Sequence, residues 1–150
     1  MQEETSEETL MMDQPRPVAM LRTAGFWLAL VMAVLQAVNA VRAFADPAGF
    51  ADYIGLPLAD ASDVGFVHVY GLRTAFIAGL VLVFLALRRL DALVWMALVA
   101  VLMPVGDAVL ASNAGAPTAT IARHATIAVY VFVAFVFLRR AAARMARSPI

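Results

Sequence analysis

The 150-residue sequence contains no cysteine and no lysine, and only 15% of its residues are charged. The absence of cysteine excludes disulfides, thiolate metal sites and thiol redox catalysis. The apolar fraction is 63%, and a chain this short has too little interior to bury that much apolar surface in water. A water-soluble monomer is therefore excluded. The formal net charge is zero and by itself says nothing about partners, but nothing in the sequence resembles a nucleic-acid surface, so no nucleic-acid partner is expected.

The apolar residues are concentrated in four stretches. Each stretch has about 20 residues, the length at which a helix crosses roughly 30 Å of hydrocarbon. The stretches lack the polar face that a helix on the surface of a soluble protein shows. The sequence predicts an all-α fold, a four-span antiparallel transmembrane bundle with spans near 23–44, 64–87, 90–111 and 119–138.

The segments outside this membrane domain differ in charge. Residues 1–22 hold every glutamate of the chain and predict a disordered acidic tail that leads to the membrane, whereas 139–150 predict a basic tail. An alternative interpretation takes Ala43-Phe44-Ala45 as a signal-peptidase site, and cleavage after Ala45 would leave three spans. The length of the first apolar stretch and its acidic leader favour an intact first span.

The link between spans one and two, residues 45–63, predicts a short helix of its own. Asp46-Pro47 is typical of an N-cap followed by proline at the first helical position, and Gly55 is typical of a helix stop. One apolar face is predicted from three residues: Phe50, Tyr53 and Ile54. This helix is expected to lie over one end of the bundle.

Arginine placement predicts the orientation. Arginines precede the first span, occupy the second link and follow the last span, whereas the first link has four aspartates and no basic residue. The positive-inside rule then places both termini in the cytoplasm, and a bacterial inner (plasma) membrane is the expected location.

Polar residues within the spans are costly in lipid and are usually paired or functional. Most of them are expected in one layer in the outer half of the bundle, with Tyr53 of the first link above it. The candidates for this pocket are Gln36, Asn39, Arg42, Tyr53, Tyr70 and Arg123, together with His68, Arg73, Asp107 and His124.

The last four of these residues are the candidate catalytic set. Arg73 and Asp107 are expected to form an ion pair, because each charge alone would cost about 2.5–3.5 kcal/mol inside the membrane. The pair could be purely structural, or Asp107 could exchange protons with His68 or His124 while Arg73 stabilises negative charge. A metal site is not expected, because the potential ligands lack short-range spacing and arginines occupy the same layer. No cofactor is expected.

Helix periodicity predicts which faces turn inward. Gly71, Ala75 and Gly79 form a small-residue ladder on the same face as His68, and such ladders let helices approach closely. Pro104 is expected to kink span three just before Asp107. The inward stripe of this span is predicted to include Met96, Ala100, Met103 and Pro104.

Several short motifs resemble a known family. The pattern Phe50-x-x-Tyr53-x-Gly55-x-Pro57 is followed by Gly71-x-Arg73, by a late aspartate in span three and by an early histidine in span four. This combination resembles the domain-of-unknown-function 4267 family of small four-helix membrane proteins, which is similar to the DoxX-like group. The resemblance covers most of residues 24–138 and implies the fold and membrane placement, with no assigned reaction. Thr74 stands where the family often has aspartate.

Three functions are compatible with these features. The favoured one is a binding or accessory membrane protein whose polar pocket receives a small lipophilic or amphiphilic ligand. A cofactor-free acid–base enzyme acting on a lipophilic substrate, as an isomerase or hydratase, is the alternative. An oligomeric transporter ranks third, because four helices rarely enclose a path. Membrane lipid is the expected partner, and a homo-oligomer is compatible with the sequence.

Overall fold

The structure, a computed structural model, describes residues 20–146. Residues 1–19 of the predicted acidic tail and 147–150 of the predicted basic tail lie outside the described residues. The helices are α1 (Ala24–Ala45), α2 (Pro47–Ile54), α3 (Val64–Ala86), α4 (Leu90–Ala100), α5 (Leu102–Asn113) and α6 (Thr118–Ala146). A 3-10 turn, Ala61–Asp63, precedes α3.

Four segments in the described part of the chain are long and apolar enough to cross a membrane: α1, α3 with its preceding turn, α4 with α5, and α6. Their outward surfaces carry many exposed large apolar side chains, such as Phe66, Phe76 and Trp95. This surface suits lipid and not water. The all-α four-helix bundle is therefore confirmed, and the chain has the character of an integral membrane protein.

The two ends of the bundle differ in charge. One end holds the start of α1, the α3–α4 link and the end of α6, and we call it the basic end because arginines surround it. The other end holds α2 and the residues before α3, and we call it the acidic end because its aspartates are Asp46, Asp52, Asp60 and Asp63. At the acidic end, the backbone N–H of Ser62 donates to Asp60 at 2.8 Å, which lowers the pKa of that carboxyl.

Span one is central to the packing, with α3 along one side and α6 along another. Two glycines permit the close approaches. A Cβ on Gly71 would lie 2.9 Å from the Ala43 Cβ, and a Cβ on Gly25 would lie 2.9 Å from the Leu138 backbone nitrogen. The Tyr130 hydroxyl also donates to the Leu28 carbonyl at 2.8 Å, which ties α6 to α1. Span three packs along α6.

The buried apolar side chains form two clusters. The larger one, towards the basic end, draws on α1, α3, α4 and α6 and includes Ala33, Leu85, Leu93 and Leu138. The smaller cluster lies beneath α2 at the acidic end and is built around Phe50, which is 1% exposed. The cavity described below is lined in part by residues of the larger cluster, and several of the polar contacts lie around the smaller one.

The short helix in the first link is present as predicted. The Asp46 side chain accepts from the Gly49 amide at 2.9 Å, and Pro47 occupies the first helical position. Gly55 ends the helix with φ of 82°, a left-handed conformation that glycine adopts without steric cost. A Cβ at Gly55 would also meet the Thr120 and Ala116 side chains, so the turn is pressed against α6.

Span three is interrupted where proline chemistry requires it. Helix α4 ends at Ala100, and α5 begins at Leu102. Pro104 has no N–H to donate to the Ala100 carbonyl four residues earlier, and its ring crowds that carbonyl. The expected disturbance of the helix before Asp107 is therefore confirmed, with the break at Val101.

One expectation needs correction. The ladder predicted on α3 is used only at Gly71, since Ala75 and Gly79 are exposed and a Cβ on Gly79 would meet nothing within 4 Å.

Helix α6 continues to Ala146, past residue 138, the predicted end of span four. The extension consists largely of alanine and arginine, which have high helix propensity.

Candidate functional site

The C-terminus of α2 is held by two adjacent residues of α6. The Arg123 Nη1 donates to the Tyr53 carbonyl at 2.7 Å, and the His124 Nε2 lies 3.0 Å from the Ile54 carbonyl. The last carbonyls of a helix have no partner within it, so these side chains satisfy two otherwise unpaired acceptors. Because a carbonyl can only accept, the His124 Nε2 is the protonated ring nitrogen in this contact.

The ring of Tyr53 receives two cations. The guanidinium carbons of Arg42 and Arg123 each lie 4.2 Å from the ring centroid. A cation over an aromatic ring contributes about 0.5–1 kcal/mol at an exposed site and more when it is desolvated. We call Arg42, Tyr53, Ile54, Arg123 and His124 the α2 clamp, since these contacts join the short helix to α1 and α6.

In the described part of the chain, one side-chain hydrogen bond joins α3 to span three. The Tyr70 hydroxyl donates to the Asp107 Oδ2 at 3.1 Å. Tyr70 lies six residues after the start of α3, and Asp107 lies six residues before the end of α5. Both are therefore about 9 Å from the acidic end of their helices, which explains why they meet.

The expected ion pair between Arg73 and Asp107 is absent. Within residues 20–146 the ion pair found is Arg89–Asp91, with Nε and Oδ1 at 3.2 Å, and it lies at the basic end. Arg73 is about one helical turn further from the acidic end than Tyr70 and Asp107, so the Tyr70 hydroxyl, and not the Arg73 guanidinium, lies level with the carboxylate. The Arg73 side chain is exposed on the bundle surface.

The two histidines lie in different places. The ring of His68 stacks on Phe44 with centroids 5.0 Å apart and an angle of 17°. At 3.6 residues per turn, His68 and Tyr70 point in directions about 160° apart around α3, so His68 faces away from Asp107. The acid–base interpretation stays a prediction.

A cavity of about 70 Å³ lies at the centre of the bundle. All four spans line it, and among the lining residues within 20–146 Gln36 is the polar one. The stripe predicted on span three faces the cavity, and so does Gln36 of span one, which the sequence placed in the predicted pocket. Its lining includes Met32, Gln36, Ile77, Met96, Met103 and Ile127. The polar pocket stays a prediction: of its candidate residues, Gln36 lines the cavity, whereas Arg42, Tyr53, Arg123 and His124 lie around α2.

Two further candidates take little part in these contacts. Asn39 is half-buried on α1 and has no side-chain hydrogen bond within residues 20–146. The Gln36 amide likewise has no hydrogen-bond partner in that range, although it faces the cavity. The sequence could have indicated the cavity through its methionines, since flexible thioether side chains are typical of adaptable apolar sites.

A second cavity, of about 160 Å³, opens at the basic end. It is lined by Arg22 and Thr23 at the start of α1 and by Phe137, Arg140 and Arg144 of α6. Arg22, Arg140 and Arg144 of this lining contribute positive charge to the basic end. Such a surface suits the anionic head groups of a membrane leaflet.

These features define the class of protein: a small multi-pass membrane protein in which a clamped short helix covers a four-span bundle with a central apolar cavity. The chain belongs to the family described as domain of unknown function (DUF4267), whose model matches residues 33–138. The match contains the α2 clamp and most of the cavity lining, whose residues Ala29 and Met32 precede it, and it ends before Arg140. The wider DoxX-like grouping stays a prediction.

The chain matches no curated protein and no solved structure.

Proposed function

We propose that this protein binds one small lipophilic or amphiphilic molecule, whose apolar part occupies the central cavity. The observation that carries the proposal is the meeting of all four spans around an almost wholly apolar space. Apolar cavities of this kind are where small ligands insert between the helices of bundles.

The size of the cavity restricts the ligand. An apolar cavity of about 150 Å³ is known to accommodate a benzene ring. The central cavity has about half that volume, about 70 Å³, so it admits a short segment of an aliphatic chain, with the rest of the chain outside it, and not a ring system. The methionines Met32, Met96 and Met103 can adjust their rotamers around such a chain.

Entry from the membrane is supported by the arrangement of spans two and three. Helix α3 packs along α1, whereas its contacts with span three are sparse and lie mainly with α4. At the acidic half, Tyr70 and Asp107 bridge the two spans. A chain can therefore reach the cavity sideways, between α3 and span three.

Filling the cavity is expected to block binding. The lining residue Ala97 is replaced by phenylalanine, with Ala37→Phe as a control because Ala37 is exposed on α1. The purified protein is photo-crosslinked with hexadecanol that carries a diazirine group, in competition with unlabelled hexadecanol. The expected result is labelling of cavity peptides in wild type and Ala37→Phe and a loss of about tenfold in Ala97→Phe, equivalent to about 1.4 kcal/mol.

Two results of this experiment would contradict the proposal. One is equal labelling of cavity peptides in Ala97→Phe and wild type. The other is uniform labelling of lipid-facing peptides, without competition by unlabelled hexadecanol. Thermal unfolding of each variant, measured in parallel, shows whether the added ring has been accommodated.

We also propose that the basic end faces the cytoplasm of a bacterial inner membrane. The arginine-lined cavity and the aspartates at the opposite end support this orientation, because basic residues are retained on the cytoplasmic side.

The orientation can be tested by labelling introduced cysteines, and no native cysteine adds background labelling because the chain contains none. Ser62→Cys lies at the acidic end and Ala143→Cys at the basic end, and both positions are exposed. In intact cells, a membrane-impermeant maleimide is expected to label Ser62→Cys, whereas Ala143→Cys requires permeabilisation. The reverse pattern would show that the basic end faces outwards.

A further inference from the structure

A cavity in a membrane protein raises a problem of selectivity. An aliphatic chain gains little by leaving lipid for an apolar cavity, because lipid tails are equally apolar. The preference of the site for one ligand must therefore come from a polar contact near the cavity mouth. This inference rests on the proposed function and concerns the chemistry of the ligand's head group.

Within α3 and span three, the two spans that form the expected mouth, Arg73 is the one arginine. It is three residues after Tyr70 and four before Ile77, so all three project from the same side of α3. Tyr70 contacts span three, and Ile77 lines the cavity. Arg73 therefore lies between the bridge to span three and the cavity wall.

The charge of Arg73 is not neutralised within the described residues. It takes part in no ion pair or hydrogen bond there, and the nearby carboxylate of Asp107 accepts from Tyr70 instead. Arg73 lies about 14 Å along α3 from the acidic end, well inside the span. A charge at such depth is rare without a partner or a function.

We infer that the ligand is a single-chain amphiphile with one negative charge, a carboxylate, and that Arg73 binds its head group. A guanidinium and a carboxylate pair through two parallel hydrogen bonds, and their charges cancel. A doubly charged phosphate monoester would leave one charge unbalanced beside this single arginine. The side chain of a helical residue leans towards the helix N-terminus, which directs the guanidinium towards the acidic end.

The test compares two probes that differ only in the head group. Diazirine-bearing hexadecanoate and diazirine-bearing hexadecanol are crosslinked to wild type, Arg73→Gln and Arg73→Lys. The control is Arg88→Gln, which removes an arginine at the basic end. Wild type and the control are expected to bind hexadecanoate at least about tenfold more tightly than hexadecanol, the gain expected from a charge-assisted hydrogen bond.

The expected outcome is specific to the head group. Arg73→Gln removes the preference for hexadecanoate and leaves hexadecanol binding unchanged, whereas Arg73→Lys keeps part of the preference. An unchanged preference in Arg73→Gln overturns the inference, as does equal loss of both probes, which would mark Arg73 as a structural residue.

The Ala97→Phe variant separates the two proposals. If it blocks both probes while Arg73→Gln leaves the preference unchanged, the cavity binds ligand and the head-group inference alone is wrong. If neither probe responds to Ala97→Phe, the proposed function itself is wrong.

Discussion

Replacing Gly25 with leucine is expected to cause one of the largest losses of stability available to a single substitution in this bundle. A Cβ at this position would lie 2.9 Å from the Leu138 backbone nitrogen and 3.0 Å from its Cα. Backbone atoms cannot rotate away as side chains do, so α1 and α6 must separate. Overpacking of this kind costs about 1–3 kcal/mol, and a contact with backbone places it at the upper end.

The matched control is Gly79→Leu. Gly79 lies within α3 and is exposed, and a Cβ there meets nothing within 4 Å. Leucine also has a higher helix propensity than glycine by roughly 1 kcal/mol, so this variant is expected to match or exceed wild-type stability. Thermal unfolding in detergent measures both. Equal midpoints for the two variants would show that α1 and α6 do not approach closely at Gly25.

The second large effect concerns the α2 clamp. Arg123→Met keeps the length of the side chain but removes the donor to the Tyr53 carbonyl and one of the two cations over the Tyr53 ring. A hydrogen bond from a charged group contributes about 1.5–3 kcal/mol, and a cation over a ring about 0.5–1 kcal/mol or more. The loss is expected to appear mainly as local opening of α2, because the four spans retain their own contacts.

Hydrogen exchange followed by mass spectrometry measures this opening directly. Peptides covering Pro47–Ile54 are expected to exchange at least about tenfold faster in Arg123→Met, the rate change that corresponds to about 1.4 kcal/mol. His124→Leu, which removes the contact with the Ile54 carbonyl, is expected to add to the effect. Arg139→Met, an exposed position at the basic end, serves as the control.

Unchanged protection of Pro47–Ile54 in Arg123→Met would show that the apolar contacts of Phe50 hold α2 without the clamp. Those contacts are substantial, since the Phe50 ring is buried and lies 5.5 Å from the Tyr70 ring. This ring pair also connects α2 to the hydrogen bond between Tyr70 and Asp107. Loosening of α2 is therefore expected to disturb the contact between Tyr70 and Asp107 at the expected mouth of the cavity.

Local sequence signals were reliable wherever the physical cause is local. Asp46, Pro47 and Gly55 predicted the limits of α2, because capping, a preset φ and a left-handed turn depend on neighbouring residues alone. Pro104 predicted the break in span three for the same reason. The number of spans followed from the length and hydropathy of the apolar stretches, because the thickness of the membrane sets how many apolar residues a helix needs to cross it.

Predictions about inward faces were less successful. Ala75 and Gly79 share a small-residue pattern with Gly71, yet only Gly71 packs against α1. In water, burial separates apolar from polar residues and so labels the inner face of a helix. In a membrane the bundle interior and the surrounding lipid are both apolar, so composition provides little contrast between the two faces.

The sequence by itself therefore determined that this is a four-span membrane protein with a short helix over one end, arginines at the other and polar residues between. Tertiary structure decided which of these polar residues meet. Arg123 and His124 bind carbonyls 70 positions away in the chain, and Tyr70 takes the place at Asp107 that charge alone assigned to Arg73. Such choices depend on the relative depth and rotation of packed helices, and neither quantity is encoded by any one segment.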